Sequence, residues 1–400
     1  MVLPPARVSA AKRLILVGGG HAHLEVLREA SHRRFDAEIV LVSLLPTQLY
    51  SGMMPGQLRG AWTESALSID LPKLCTAAGA RFVEGAATRI DATTGAVSVH
   101  VSAESMDGSV ASLDIGASVT GLSLPGVREH AFLTRPAQAW RRLVSHVEAL
   151  SARQTNRRAL SCCVVGGGAA GVELALALEA RLRGDPCTMH DTPAATSASA
   201  VSTATIVTLL TALPTVPAGF DAAVATRITR LLAQRGIVVE LNATVTEINA
   251  TEIRLADGRR IPSSLTVWAT GASAPPLLRA SMLPTDADGY LAVDDTLRAD
   301  GGLAVWGAGD CIAMRDAPWM TKSGVYAVRA APILAHNLRV ACASDGGTMK
   351  RFSPQRHTMF ILDSADGRAL LISRWLTTHA TWALKVKQFI DRRFVARYQR

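Results

Sequence analysis

This chain of 400 residues is poor in aromatic and charged side chains. Aromatic residues make up 5%, and the basic residues are dispersed except near the C-terminus, which argues against nucleic acid as a partner. A transmembrane helix needs roughly 20 consecutive apolar residues, and no such run is present. The six cysteines form no C-x-x-C pair and no zinc-like spacing, so we expect no metal site and a reducing, cytoplasmic compartment.

Hydrophobic residues are abundant, at 48%, and the chain carries a formal net charge of +9. A chain of this length and composition can form two or three globular domains with sizeable cores. The positive charge favours anionic partners such as nucleotide phosphates or an acidic membrane surface.

The most informative feature is a glycine turn that occurs twice. Gly18-Gly19-Gly20 follows the apolar run 14–17, and the stretch 166–171 follows the apolar run 163–165. Each turn is followed by a stretch with helical character and then by a second apolar run, as in the βαβ unit that binds a dinucleotide. Glycines allow the backbone to approach a pyrophosphate, and the N-terminus of the next helix supplies N–H donors. The sequence therefore predicts two dinucleotide sites.

The first turn departs from the G-x-G-x-x-G pattern, because His23 stands at the sixth position. Ser43 occupies the end of the second strand, where an acidic residue usually binds the ribose. The second turn is in register, but its second strand also ends without an acid, at Thr211 and Ala212. The sequence therefore leaves open whether this unit binds NADH or NADPH. We expect His21 and His23 to cap or pack the first helix rather than bind a metal.

Other segments complete a coarse outline. We expect strands at 81–84, 96–101, 111–115, 205–210, 236–241, 265–271 and 303–306, and helices at 137–150 and 220–235. A stretch rich in Ala, Ser and Thr, 184–203, suggests a flexible insertion. A helix beginning at Gly324 contains Pro332, where we expect a kink. A hairpin around Asp366-Gly367 precedes a basic amphipathic helix at 382–400. We expect its apolar side to consist of Trp382, Val386, Phe389, Ile390, Phe394 and Tyr398.

Five segments resemble one family in the right order. They are 17–23, 50–56 (Y-S-G-M-M-P-G), 269–272, 307–310 and 322–329 (K-S-G-V-Y-A-V-R). The family is that of the FAD-dependent pyridine nucleotide-disulfide oxidoreductases. Within it, the chain is similar to the type II NADH dehydrogenase branch, which in some chains precedes selenophosphate synthetase. The resemblance implies an α/β fold with two Rossmann-like three-layer nucleotide-binding domains, for FAD and NAD(P)H, plus a C-terminal hairpin and helix.

The resemblance also divides the chain. It implies a first part of the FAD domain at 1–135, an inserted NAD(P)H domain at 136–285, a second part of the FAD domain at 286–348, and the C-terminal hairpin and helix at 349–400. It assigns FAD to Gly18, Gly20, His21, Ala22, Ser43, Ser51, Gly52, Met53, Pro55, Gly309, Asp310, Gly324 and Val325. It assigns NAD(P)H to Gly166, Gly168, Ala170, Gly171, Glu173, Thr270 and Gly271.

Two residues are implied to act at the flavin. Lys322, with the dipole of the following helix, would stabilise the anionic reduced flavin, and Tyr50 would lie along the isoalloxazine. Disulfide reductases of this fold carry a C-x-x-x-x-C pair beside the flavin, but 44–60 contains no cysteine. We therefore expect electrons to leave the flavin directly, without a cysteine relay.

The resemblance implies an NAD(P)H dehydrogenase whose acceptor is a quinone. Two alternatives stay open: a flavoprotein reductase of a soluble sulfur, selenium or protein acceptor, and a non-catalytic FAD-bound regulatory protein. The C-terminal helix either lies on an anionic membrane surface, on the inner face of the cytoplasmic membrane, or packs on its own FAD domain. A homodimer is a further expectation.

Overall fold

The computed structural model describes residues 12–102, 104–153, 160–184 and 205–399. Nearly all of the expected insertion at 184–203, and Arg400 of the expected C-terminal helix, lie outside these residues. The helices of the described part are His21–His32, Met54–Arg59, Glu64–Leu67, Leu71–Ala78, Val127–His130, Ala137–Arg153, Ala169–Arg183, Ala222–Gln234, Pro276–Ala280, Gly324–Cys342 and Thr381–Tyr398. Short 3-10 turns lie at Ser51–Met53, Asp300–Gly302 and Gly309–Cys311.

The first glycine turn belongs to a parallel sheet of five strands. Their order across the sheet is Val305–Gly307, Val110–Leu113, Arg13–Val17, Glu38–Ser43 and Arg81–Glu84. The inner strands are buried on both faces, which explains why they are continuous apolar runs rather than alternating ones.

The second glycine turn belongs to a second parallel sheet of five strands. Their order is Ala131–Leu133, Leu265–Trp268, Leu160–Val165, Thr205–Leu210 and Val238–Glu240. In each sheet the last four strands of this order are equivalent, and the chain forms them in the same sequence in both sheets. The remaining edge strand differs: in the first sheet it comes from a segment late in the chain, at 305–307, and in the second from a segment that precedes the other four, at 131–133.

The internal repeat includes the small antiparallel sheets. Strands Ala87–Ala92, Val97–Val101 and Glu104–Gly108 lie in the chain between the last two repeated strands of the first sheet. Strands Val245–Ile248, Glu252–Leu255 and Arg260–Pro262 occupy the equivalent place in the second. Two-stranded pairs join Thr47–Leu49 with Ser68–Asp70, Ser118–Val119 with Ala272–Ser273, and Leu291–Val293 with Ile312–Met314.

The C-terminal region forms a small antiparallel sheet followed by the last helix. The expected hairpin is present as strands Phe360–Asp363 and Ala369–Ile372, and a third strand, Thr377–Ala380, which the sequence did not predict, extends it into a three-stranded sheet. The helix Thr381–Tyr398 follows directly. The helix Gly324–Cys342 continues through Pro332.

Candidate functional site

The first glycine turn lies where the strand Arg13–Val17 meets the helix His21–His32. Gly18 has a φ of +95°, and its N–H donates to the carbonyl of Val42 at 2.8 Å. A Cβ on Gly18 would overlap the backbone of Asp114, so only glycine fits here. Ser43 ends the neighbouring strand, with its hydroxyl 3.4 Å from the position of a Cβ on Gly19.

Beneath this turn lies a buried carboxyl group that the sequence analysis missed. The Oδ2 of Asp114 accepts hydrogen bonds from the N–H groups of Ala22 at 2.7 Å and His23 at 3.4 Å. A Cβ on Gly20 would overlap this carboxyl group, and a Cβ on Gly309 would lie 2.5 Å from its Oδ1. Burial raises the pKa of Asp114 to about 7. Asp114 thus supports both glycine segments assigned to FAD.

The sequence did contain a signal for Asp114. The stretch D-I-G-A-S at 114–118 follows its strand as A-T-G-A-S at 269–273 follows the equivalent strand of the second sheet. A comparison of the two would have placed Asp114 under the first turn.

His23, the irregular sixth residue, is fully buried and packs the helix against the sheet. Its Nδ1 lies 2.6 Å from the carbonyl of Gly18, and its Nε2 lies 2.9 Å from the hydroxyl of Ser112. A carbonyl only accepts, so Nδ1 carries the proton and the Ser112 hydroxyl donates to Nε2. Burial lowers the pKa of His23 to about 4, which keeps the ring neutral at pH 7. The expectation of a packing role agrees with this geometry.

His21 lies in an aromatic cluster at the other side of the turn. Its ring is 5.6 Å from that of Tyr50 and 5.3 Å from that of Phe394, and the rings of Tyr50 and Phe394 stack at 4.4 Å. Phe394 belongs to the C-terminal helix, so this helix covers one face of Tyr50. Burial lowers the pKa of His21 to about 4, and among the described residues its buried Nε2 has no hydrogen-bond partner.

The segment 50–56 is a short turn and helix rather than an open loop. Ser51–Met53 forms the 3-10 turn, Met53 is buried, and Pro55 stands in the first turn of the next helix. The carbonyl of Gly52 accepts a hydrogen bond from Nζ of Lys387 at 2.7 Å. The C-terminal helix therefore holds this segment in place.

Asp310 lies between the strands Val305–Gly307 and Ile312–Met314, and Lys322 contacts the second of these strands. Asp310 follows Gly309 and pairs with Arg135 at 3.1 Å. The Lys322 ammonium donates to the carbonyl of Ile312 and lies 3.8 Å from the ring centre of Tyr290. Burial lowers the pKa of Lys322.

The helix Gly324–Cys342 begins two residues after Lys322, with Gly324 and Val325 in its first turn. A Cβ on Gly324 would lie 3.9 Å from Cε1 of His21. The segments at 18–22, 50–55, 309–310 and 322–325 are thus brought together by the fold.

The second glycine turn makes the same backbone hydrogen bond as the first but has different neighbouring residues. The N–H of Gly166, whose φ is +128°, donates to the carbonyl of Leu210 at 2.8 Å. A Cβ on Gly171 would overlap the carbonyl oxygen of Gly166, so glycine is needed for the close helix–strand contact. A Cβ on Gly168, in contrast, would meet nothing within 4 Å. The helix Ala169–Arg183, with Ala170 in its first turn, has no side-chain cap.

Thr270 and Gly271 lie at the same edge of the second sheet. The hydroxyl of Thr270 donates to the carbonyl of Thr120 at 2.7 Å, and the hydroxyl of Thr120 donates to the carbonyl of Gly271 at 2.8 Å. These bonds join the two repeats where the short strands Ser118–Val119 and Ala272–Ser273 pair.

Glu173 is part of a buried charge cluster that the sequence analysis missed. Its carboxylate accepts from the N–H of Asp363 at 2.8 Å, and burial raises its pKa to about 7. Lys387 is 3.1 Å from Asp391, and the hydroxyl of Tyr50 also bonds this carboxylate. Burial disfavours the charged form of Lys387, but the charges of Glu173 and Asp391 outweigh this and raise its pKa. The cluster connects the second repeat, the 50–56 segment and the C-terminal helix.

The described cysteines are buried and unreactive. Burial raises the pKa values of Cys75, Cys162, Cys311 and Cys342 to about 12 and that of Cys163 to about 11. A thiol with such a pKa holds almost no thiolate at pH 7. Among the described residues, no three His, Cys, Asp or Glu side chains are grouped so that they could hold a metal ion.

The C-terminal helix has an inner and an outer face. Ala383, Leu384, Val395 and Tyr398 are buried against the protein. The sequence placed Phe394 and Tyr398 on one apolar side together with Trp382, Val386, Phe389 and Ile390, but only the last four are exposed. Trp375, in the preceding turn, is 85% exposed. No helix within the described ranges is long and apolar enough to cross a membrane.

The two turns fit dinucleotide phosphates. Glycines keep the backbone accessible at both turns, and a Cβ on Gly168 would meet open space. The Nε2 atom of His21, which has no hydrogen-bond partner among the described residues, lies beside the segments assigned to FAD. The backbone N–H groups at the start of a helix favour phosphate.

Comparisons with known proteins agree with this geometry. The family model described as pyridine nucleotide-disulphide oxidoreductase matches residues 12–338. A NADH dehydrogenase-like protein of Mycobacterium tuberculosis is 28% identical over 312 residues, which is 76% of this chain and 73% of that protein. An internal alternative NAD(P)H-ubiquinone oxidoreductase of Solanum tuberosum is 31% identical over 205 residues, which is 49% of this chain and 39% of that protein.

Two solved structures share the fold. The sulfide:quinone oxidoreductase of Aquifex aeolicus superposes with a TM-score of 0.78 at 17% identity, over 97% of this chain and 92% of that one. The NDH2 of Plasmodium falciparum in complex with NADH superposes with a TM-score of 0.77 at 12% identity, over 98% and 99%. The family resemblance and the two-unit α/β fold are both confirmed.

Proposed function

The chain belongs to the pyridine nucleotide-disulphide oxidoreductase family, and we propose that it is a flavoprotein that passes electrons from NAD(P)H through FAD to a quinone. The observation that carries the proposal is the internal repeat. Two parallel sheets of the same order each present a glycine turn to the N-terminus of a helix. Ligands of such sheets bind at the carboxyl ends of the strands, beside these turns.

The first turn would hold FAD and the second NAD(P)H, within the domain division stated from the sequence. Bound FAD would accept hydride and release electrons one or two at a time. Gly18, Gly20, Gly309 and Gly324 would let the backbone approach the cofactor, and Asp310 would accept from a ribityl hydroxyl. The ammonium of Lys322 and the dipole of its helix would favour negative charge at the flavin.

Quinone reduction consumes two protons, and the buried cluster supports this acceptor. Glu173 has a pKa of about 7, so it can hold or release a proton under working conditions. Lys387 and Asp391 lie between Glu173 and the 50–56 segment. The absence of a thiolate among the described cysteines supports direct electron transfer rather than a sulfur relay.

The outer face of the C-terminal helix supports contact with a membrane surface. Trp382, Val386 and Phe389 are exposed beside Lys385 and Arg393, a pattern suited to a helix lying in the interface. We propose a peripheral position on the inner face of the cytoplasmic membrane. The homodimer stays a prediction.

Anaerobic mixing of the FAD-loaded protein with NADH, and separately with NADPH, tests the proposal. We expect flavin absorbance near 450 nm to bleach with at least one donor and to return when a short-chain quinone is added. Recovery with polysulfide or a selenium compound but not with quinone would favour the soluble acceptor. If neither nucleotide bleaches the flavin, the result would contradict electron transfer and favour a non-catalytic FAD-bound regulatory protein.

Two variants, one at each site, and one control distinguish the two proposed binding sites. Asp310→Ala should lose FAD, whereas Asp300→Ala, which removes an acid from the surface pair with Arg315, should retain it. Gly168→Ala should retain FAD but bleach slowly, because the added methyl group enters the space proposed for the second nucleotide. Full flavin content in Asp310→Ala would contradict the assignment of the first turn.

A further inference from the structure

A groove of about 1080 Å³ lies between the C-terminal helix and the first repeat. The helices His21–His32 and Leu71–Ala78 form one side, and Thr381–Tyr398 forms the other. The groove lies on the outside of the aromatic cluster, because Phe394 lines it and also stacks on Tyr50. No role in electron transfer proposed above uses this groove.

The described residues that line the groove include several basic side chains and no acidic one. Arg28 and Arg397 contribute from opposite sides, but both pair with the buried Glu25. Lys385 and Arg393 also line it, and neither forms an ion pair in the described part of the chain. Arg392, which lies over the ring of Trp62, also lines the groove without an ion pair among the described residues. Three cations are thus left without a counter-charge at the edge of the groove, which attracts an anion.

The same groove offers an apolar surface. Leu74, Phe389, Ile390 and Phe394 line it, and Phe389 is 65% exposed. An inorganic anion would use the cations and leave this surface in water. A neutral lipid would use the apolar surface and leave Lys385 and Arg393 unpaired. A ligand that satisfies both parts carries a negative head and an apolar tail.

We propose that this groove binds one anionic phospholipid, with its phosphate between Lys385 and Arg393 and an acyl chain along Phe389 and Ile390. The site is continuous with the exposed face of Trp382 and Val386, so a lipid can enter it from a bilayer. This inference rests on the proposed membrane contact and adds a discrete headgroup site to it. It does not depend on the identity of the electron acceptor.

The first experiment uses lipids below their micelle concentration, so that no membrane is present. Binding of dihexanoyl-phosphatidylglycerol, dihexanoyl-phosphatidylcholine and inorganic phosphate to the full-length holoprotein is measured by isotope-edited NMR or calorimetry. We expect saturable binding of phosphatidylglycerol, at least tenfold weaker binding of phosphatidylcholine, and no saturable binding of phosphate. Equal binding of the two lipids, or complete competition by phosphate, would overturn the proposal.

Two variants then test the site. Lys385→Gln/Arg393→Gln should weaken phosphatidylglycerol binding about 25-fold, about fivefold for each charge removed. The control Arg260→Gln/Arg351→Gln makes the same change in net charge at exposed positions elsewhere and should change binding less than twofold. Ala77→Trp narrows the groove without a change in charge and should also weaken binding. Unchanged binding in Ala77→Trp would show that the charges act outside the groove.

Vesicle sedimentation separates this inference from the proposals beneath it. If vesicles with 30% phosphatidylglycerol bind the wild type and the Lys385→Gln/Arg393→Gln variant equally, the headgroup site is wrong and the membrane contact stands. If no vesicle binds, the membrane contact is wrong as well. Bleaching of the flavin by NADH should be the same in all of these variants, because none of the residues changed here contacts the nucleotide turns.

Discussion

The two glycine turns have the same backbone but are supported by different side chains. Gly20 accepts from the N–H of Leu24 and Gly168 from that of Val172, both at 3.1 Å. At the sixth position, Gly171 allows direct contact with the preceding strand, whereas His23 reaches Gly18 and Ser112 through its ring. Close packing of the helix against the strand can therefore be achieved in two ways: with a glycine, which has no side chain, or with a side chain that forms hydrogen bonds to the strand and turn.

The turns also differ at the N-terminus of the helix. In the first repeat, the carboxyl group of Asp114 accepts from two of the first N–H groups. Ala269 stands at the equivalent position of the second repeat, where the helix has no side-chain cap. The first turn is thus held by the protein itself, whereas among the described residues no side chain caps the helix at the second turn. This difference supports the proposal that a resident cofactor binds at the first turn and an exchanging nucleotide at the second.

A third difference concerns equivalent glutamates, Glu25 and Glu173. Glu25 is buried, Glu173 is partly buried, and both are reached by the C-terminal helix. Glu25 bonds three partners, namely Arg28, Arg397 and Tyr398. Glu173 accepts from one backbone N–H, and its counter-charge is the buried Lys387. The C-terminal helix therefore contacts both repeats. At Glu25 it contributes two of three side-chain partners, whereas at Glu173 it contributes a single counter-charge, Lys387.

Removal of that cation should have the largest effect. Lys387→Met leaves the carboxylates of Glu173 and Asp391 buried without a counter-charge, and we expect a loss of about 3 kcal/mol in the free energy of unfolding at pH 8. The loss should be smaller at pH 5, where both carboxylates can take up protons. Urea unfolding at the two pH values measures this. Lys385→Met, on the exposed face of the same helix, is the matched control, and an equal loss in both variants would remove the contrast between the two glutamates.

Gly171→Ala tests the second turn. The added methyl group overlaps the carbonyl oxygen of Gly166, so we expect a loss of about 2 kcal/mol and weaker NAD(P)H binding. Gly168→Ala should preserve stability to within about 0.5 kcal/mol, because its methyl group meets open space. Thermal unfolding and nucleotide titration distinguish the two. A stable Gly171→Ala protein would mean that the second helix can move away from its strand, as the first accommodates His23.

Asp114→Asn tests the first turn through pH. The pKa of Asp114 is raised by burial to about 7, so its stabilising contribution is full below the pKa of an unfolded Asp, about 4, and is lost progressively as pH rises to 7. The variant stays neutral. We therefore expect the wild type to lose stability relative to Asp114→Asn between pH 5 and pH 7, by at most about 1.4 kcal/mol per pH unit, with little further change up to pH 8. Parallel pH profiles would show that Asp114 is ionised throughout this range.

Much of the framework could be predicted from local patterns. Glycine turns after apolar runs predicted both βαβ units, and the strands at 81–84 and 205–210 match their predicted bounds. The strand Thr377–Ala380 was missed because it is short and polar. Lys387 and Gly52 are 335 residues apart in the chain, so no periodicity could reveal their contact. Asp114 was missed for another reason: its role follows only when the two repeats are aligned with each other.

The smallest effect should come from Arg397→Met. Arg397 lies 2.6 Å from Glu25, but its side chain is 48% exposed, so solvent screens the pair. Glu25 also keeps its bonds to Arg28 and Tyr398 when Arg397 is removed. We expect a loss below about 1 kcal/mol, reduced further in 0.5 M salt, as measured by urea unfolding. A loss as large as that of Lys387→Met would mean that the first repeat depends on the C-terminal helix as strongly as the second does.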